Sequence, residues 1–114
     1  MAENNYEETQ TYQDPNNPSE LEQKHVPIIE ANTMFAKVTV GEVRHPMETS
    51  HWIQWIELFA DEESVGRSDL SPGELPEMEF EIDISKTKKL KAQALCNVHG
   101  LWENSIKISS NNKK

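Results

Sequence analysis

The chain has 114 residues, with 11 Lys and Arg against 20 Asp and Glu and a formal net charge of −9. That length makes one small domain able to bury a core without disulfides, and the charge argues against nucleic acid, whose phosphates need Lys and Arg. A single cysteine excludes an internal disulfide and any four-cysteine metal site. With no basic leader ahead of an apolar run, and no stretch of about 18 apolar residues, the expectation is a soluble cytoplasmic protein that meets no membrane.

Residues 1–20 are rich in Asn, Glu, Gln, Thr and Pro, and read as a flexible or loosely docked acidic tail. The domain proper is expected over residues 21–110. Residues 1–23 hold six acids (Glu3, Glu7, Glu8, Asp14, Glu20, Glu22) and no Lys or Arg. The other 14 acids face all 11 bases, so the body carries only −3 and does not repel an anion by its global charge.

His25-Val26-Pro27-Ile28-Ile29-Glu30 is a short apolar run in which Pro27 forces Val26 to be extended, giving an edge strand or irregular segment. Ala36, Val38 and Val40 alternate with Lys37 and Thr39, predicting a half-buried strand. Over 51–60, Trp52, Trp55, Ile56 and Phe59 fit a helical stripe, but the β-rich composition between strand neighbours favours a strand. Gly66, Pro72, Gly73 and Pro76 among acids and serines predict a long loop over 61–76.

Met78, Phe80, Ile82 and Ile84 alternate with acids, and Leu90, Ala92, Ala94 and Cys96 with Lys89, Lys91 and Gln93. The linker of residues 85–88 and the opposed charges predict that these two strands pair as an antiparallel hairpin. Trp102, Ile106 and Ile108 mark a last strand. Six or seven short strands and no convincing helix predict an all-β, antiparallel sandwich or barrel.

Chemistry concentrates in Cys96-Asn97-Val98-His99-Gly100, where a thiol and an imidazole three positions apart flank a tight turn. His45 and His51 bracket a Pro-Met corner, and His25 stands alone. Singly, each has an ordinary explanation, Cys96 as a small buried hydrophobe and the histidines as surface groups. Jointly they point to one metal. Imidazole and thiolate suit iron, copper or zinc. Blue copper needs a Met after the Cys-x2-His, whereas all four Met precede Cys96. Structural zinc closes with four ligands. Four nitrogens and one sulfur, with a sixth position open, suit redox iron better.

These motifs resemble those of the one-iron superoxide reductases, or neelaredoxins. The resemblance rests on Lys24-His25-Val26-Pro27, on His45-Pro46-Met47-Glu48-Thr49-Ser50-His51 with Trp55-Ile56-Glu57-Leu58, and on Cys96-Asn97-Val98-His99-Gly100-Leu101-Trp102-Glu103, covering about residues 22–108. It implies a seven-stranded immunoglobulin-like fold, with equatorial His25, His45, His51 and His99 and axial Cys96 around one iron per subunit. It further implies reduction of superoxide to hydrogen peroxide, an external electron donor, generally rubredoxin, and a homotetramer. Lys24 matches the lysine that attracts superoxide. The family places Glu where this chain has Gln23, and there the Glu closes the sixth position of oxidised iron; Glu22 lies one residue away.

Two rivals compete with that reading: an immunoglobulin-like binding module with a purely structural zinc, and a nucleophilic enzyme using Cys96 with His99. The second leaves three histidines without roles and puts its thiol on a core face.

Overall fold

In the computed structural model of the chain, residues 9–108 are described, in the order α1 (Glu20–His25), β1 (Pro27–Asn32), β2 (Phe35–Val40), β3 (Ile53–Ala60), β4 (Glu63–Asp69), β5 (Glu77–Glu81), β6 (Lys89–Cys96) and β7 (Gly100–Lys107). All strand pairs are antiparallel, in a sheet of order β1-β2-β5 and a second of order β4-β3-β6-β7. The sheets stay open and pack as a sandwich. Between them lie Ile29, Ala36, Val38 and Phe80 of one sheet and Ile53, Ile56, Leu58, Leu90, Ala92 and Ala94 of the other. Each fully buried Val, Leu or Ile side chain contributes about 1.5–3 kcal/mol.

The alternation in β2 and β6 buries the residues expected from it, and Cys96 is 1% exposed at the inner end of β6. β3 resolves the ambiguity of 51–60. Its register shifts between Ile53 and Trp55, so Ile53 and Ile56 both face the core despite their odd spacing. Of the apparent helical stripe only Ile56 is buried; Trp52, Trp55 and Phe59 are half-buried, and the core takes Ile53 and Leu58 instead.

Three expectations are corrected. A helix does form: α1, with Ser19 and Glu22 in a reciprocal capping box. Its polar sequence shows no apolar stripe, and its signal is the Ser19-x-x-Glu22 spacing alone. Part of the expected 61–76 loop is strand β4, an edge strand whose exposed polar residues carry no hydrophobic alternation. Gly66 in β4 leaves room for Phe80, since a Cβ there would lie 2.8 Å from its ring.

The third concerns the hairpin of residues 78–96, which does not form. β5 pairs with β2 and β6 with β3 and β7, so residues 82–88 cross from one sheet to the other. Both basic side chains, Lys89 and Lys91, pair with Glu62 in the β3–β4 turn, at 2.6 and 3.2 Å. Lys37 of β2 takes the β5 acid Glu77 at 3.8 Å.

Of residues 1–20, the first eight lie outside the described residues. Gln10 forms a parallel bridge with Trp102 on β7. The start of β1, the ends of β2 and β6 and the starts of β3 and β7 meet at one end of the sandwich, because Pro27 pairs with Val40, Ile53 with Cys96 and Cys96 with Gly100. Among the described residues, no helix is long and apolar enough to cross a membrane.

Candidate metal centre

His25 is the last residue of α1, which ends where Val26 turns extended ahead of Pro27. Its ring reaches back one turn, Nδ1 lying 2.8 Å from the Leu21 carbonyl oxygen. His45 leaves β2 through the turn after Gly41, and its Nδ1 lies 2.6 Å from the Pro46 carbonyl oxygen. His51 closes a tight turn in which Glu48 and His51 exchange backbone hydrogen bonds of 3.0 and 2.9 Å. Cys96 ends β6.

The structure brings His25, His45, His51 and Cys96 together, with one ligating atom from each lying within 4.8 Å of all the others. Their hydrogen bonding fits a cation. A carbonyl can only accept, so Nδ1 of His25 and of His45 each carries the proton, assigned here from the bonding network. Both Nε2 atoms are then bare lone pairs, yet they face each other at 3.1 Å. His51 Nε2 is buried with no hydrogen-bond partner among the described residues. Three unpartnered imidazole nitrogens beside one thiol are costly without a proton or a metal to share, and carbonyl-anchored rings of this kind are how histidine ligands are commonly oriented.

His99 sits beside this group of four. Its ring centre is 4.8 Å from that of His25 and 5.2 Å from that of His51, and its Nδ1 is 4.0 Å from Cys96 Sγ. The His99 backbone N–H donates to the same sulfur at 3.4 Å. Burial pushes the Cys96 thiol above its ordinary pKa, while the N–H groups of His99 and Val98 pull it back. A bound metal ion would deprotonate such a thiol. His25 and His45 close the inner side at 1% exposure each, whereas His51 and His99 are half-buried.

Lys24 precedes His25 and stands 3.6 Å from Glu20, in an ion pair exposed enough to leave the ammonium free to move. Burial is the main cause of the lowered pKa of His25 and His51, and the Lys24 charge adds a small further lowering to each. Glu22 is committed elsewhere: its carboxylate accepts from the Ser19 and Gln13 backbone N–H groups at 3.0 and 3.3 Å. The Gln23 side-chain amide donates to the Pro18 carbonyl at 3.2 Å.

Sequence reasoning passed over two supporting residues. Asn97 ties the Cys96 turn to the His51 turn: its Oδ1 accepts from Trp52 N at 2.8 Å and its Nδ2 donates to Ser50 O at 3.1 Å. Gly41, at φ +90°, lies against the backbone of Gln23 and Lys24. A glycine directly after the last apolar residue of a strand was the only hint in the sequence.

Burial lowers His25 and His45 from the ordinary 6.5 to about 4. Below pH 6.5 the unfolded chain therefore binds protons that the folded, metal-free chain refuses. Stability is complete above pH 6.5 and falls towards pH 4, by about 1.4 kcal/mol per pH unit for each histidine. Thermal unfolding of metal-free protein across that window checks this, and an unchanged midpoint between pH 7 and 5 would contradict it.

Known proteins share this arrangement of sequence and fold. The family model for desulfoferrodoxin matches residues 17–105. The chain is 52% identical over 81 residues to a desulfoferrodoxin of Nitratidesulfovibrio vulgaris, covering 71% of this chain and 61% of that protein. It thus spans about three fifths of the length of that relative. It is 38% identical over 101 residues to a superoxide reductase of Pyrococcus horikoshii, covering 75% of this chain and 88% of that protein. Among solved structures, the one-iron superoxide reductase of Giardia intestinalis superposes with a TM-score of 0.69 at 34% identity, covering 75% of this chain and 99% of that one. With the match spanning most of the chain and the His/Cys cluster consistent with one iron per subunit, the chain belongs to the desulfoferrodoxin family.

Proposed function

We propose that this chain reduces superoxide to hydrogen peroxide at one iron held by His25, His45, His51, His99 and Cys96. The observation that carries the reading is the convergence of His25, His45, His51 and Cys96, one ligating atom from each within 4.8 Å of the others, with the Nε2 atoms of His25 and His45 facing at 3.1 Å and His51 Nε2 buried without a partner among the described residues. Similarity to superoxide reductases supports the same substrate. Iron bound there supplies the exchange of one electron between its ferrous and ferric forms. The balance is one superoxide, one electron and two protons to one hydrogen peroxide.

The chain's own residues do the rest. The Leu21 and Pro46 carbonyls hold two rings with Nε2 inward. The Cys96 sulfur, accepting from His99 N–H, is the one anionic donor of the set and enriches electron density at the centre. Protons enter from solvent on the half-buried side of His51 and His99. Lys24 draws the anionic substrate in and steadies a water there. The resemblance supports rubredoxin as electron donor and a homotetramer, while the polar, acidic composition of residues 1–20 supports a tail ahead of an iron-binding domain over 21–110 in a cytoplasmic protein.

Metal analysis with a visible spectrum tests the centre: iron and a sulfur-to-metal band in the oxidised protein are expected. Superoxide should be consumed in proportion to added reductant. Oxygen released without any reductant would mean dismutation and would overturn the proposal. Lys24→Ala should slow the bimolecular step about 10-fold and weaken its dependence on ionic strength, with iron content unchanged. Stopped-flow rates at several salt concentrations measure this, and an unchanged rate and salt slope would remove Lys24 from the role.

A further inference from the structure

We propose that Gln10 is a positioning residue for the Cys96–His99 turn, reaching it from the far end of the chain. The Gln10 side-chain Nε2 donates to the His99 carbonyl oxygen at 2.7 Å. That oxygen also accepts from Trp102 Nε1 at 3.1 Å. The backbone of Gln10 is locked alongside β7, its N–H donating to Leu101 O at 2.9 Å and its C=O accepting from Glu103 N at 2.8 Å. Gly100 eases the approach: a Cβ at that position, where φ is +89°, would lie 3.3 Å from the Gln10 amide nitrogen and crowd it.

Residue 99 is therefore held on both sides. Its carbonyl is fixed by two donors, and its own N–H goes to the Cys96 sulfur. The carbonyl belongs to the peptide after His99 and the N–H to the one before, so with both bonded the backbone at residue 99, and with it the ring, keeps its aim. Trp102 adds a second tie, its ring stacking on that of His25 at 4.9 Å. Gln10 touches no reacting atom. It acts through His99, and the inference rests on the metal centre proposed above.

The test compares the full chain with Gln10→Ala and Gln10→Glu. Both remove the side-chain donor while keeping the backbone bonds to β7. Co2+ titration of metal-free protein reads affinity and the sulfur-to-cobalt band. Both variants should bind Co2+ about 10-fold or more weakly, with a displaced band, as loss of a ligand-orienting residue does. In the metal-free proteins, hydrogen exchange at the His99 amide should quicken while the Glu103 amide stays protected. Affinity within about twofold of the original chain, with an unmoved band, overturns the role of Gln10 even if the melting temperature falls. An original chain that binds Co2+ without any sulfur band overturns the metal reading, and the positioning role falls with it.

Discussion

Cys96→Ser should yield a folded protein with no sulfur-to-iron band and little activity. Cys96 is the only thiol in the chain, so no other residue can supply the band. The substitution is nearly isosteric at a position 1% exposed, between core neighbours that need not move. A serine hydroxyl at that point can still accept the His99 N–H that now goes to sulfur. Even a hydroxyl left unpaired would cost only about 1–3 kcal/mol. The loss at the centre is of another order. A ligand-orienting residue is worth about 10–100-fold in affinity or activity, and a ligand itself should exceed that. Serine is a far weaker acid than a thiol and gives the site no anionic donor at neutral pH. His45→Ala, by contrast, should lower iron content while retaining a sulfur band in whatever iron remains. A band that persists in Cys96→Ser would remove Cys96 from the ligand set.

The chemistry is more legible in the sequence than the fold around it. Cys96, His25, His45 and His51 can be grouped because few residue types bind a metal in this way, and a chain with one cysteine leaves few combinations. Cys96 also lies on the buried parity of a clean alternation, and that parity alone puts its thiol on the inner face of β6. The expected pairing of β5 with β6 fails because opposite charges on two nearby strands suit any pair of partners that brings them together. The sandwich instead sends Glu77 of β5 to Lys37 and the lysines of β6 to Glu62. β4 is invisible to pattern because the half-buried face of this edge strand carries Gly66 and Ser68, not large apolar residues, and so shows no apolar period. The anchoring of His99 by Gln10 spans 89 positions, and no local pattern could encode it.

Gly41→Ala should destroy the centre from outside it, and Gly73→Ala supplies the control. Both glycines have positive φ, +90° and +93°, so alanine at either costs about 1–2 kcal/mol from backbone conformation alone. Their surroundings differ. A Cβ at Gly73 meets nothing within 4 Å, whereas one at Gly41 would lie 2.6 Å from the Lys24 carbonyl carbon and 2.8 Å from its Cα. Those are backbone atoms, which no rotamer change can clear. The last turn of α1 must retreat, and His25 is its final residue. That movement pulls Nε2 of His25 away from Nε2 of His45, which it faces at 3.1 Å, and carries Lys24 outward with it. The Val43 N–H bond to the Gln23 carbonyl, 3.0 Å long, would go as well. Both variants should therefore melt earlier, Gly41→Ala by more. Only Gly41→Ala should also lose iron, measured per chain after purification under identical conditions. If the two variants instead melt at the same temperature and retain equal iron, then α1 is not held against the β2 turn in the way that positions His25.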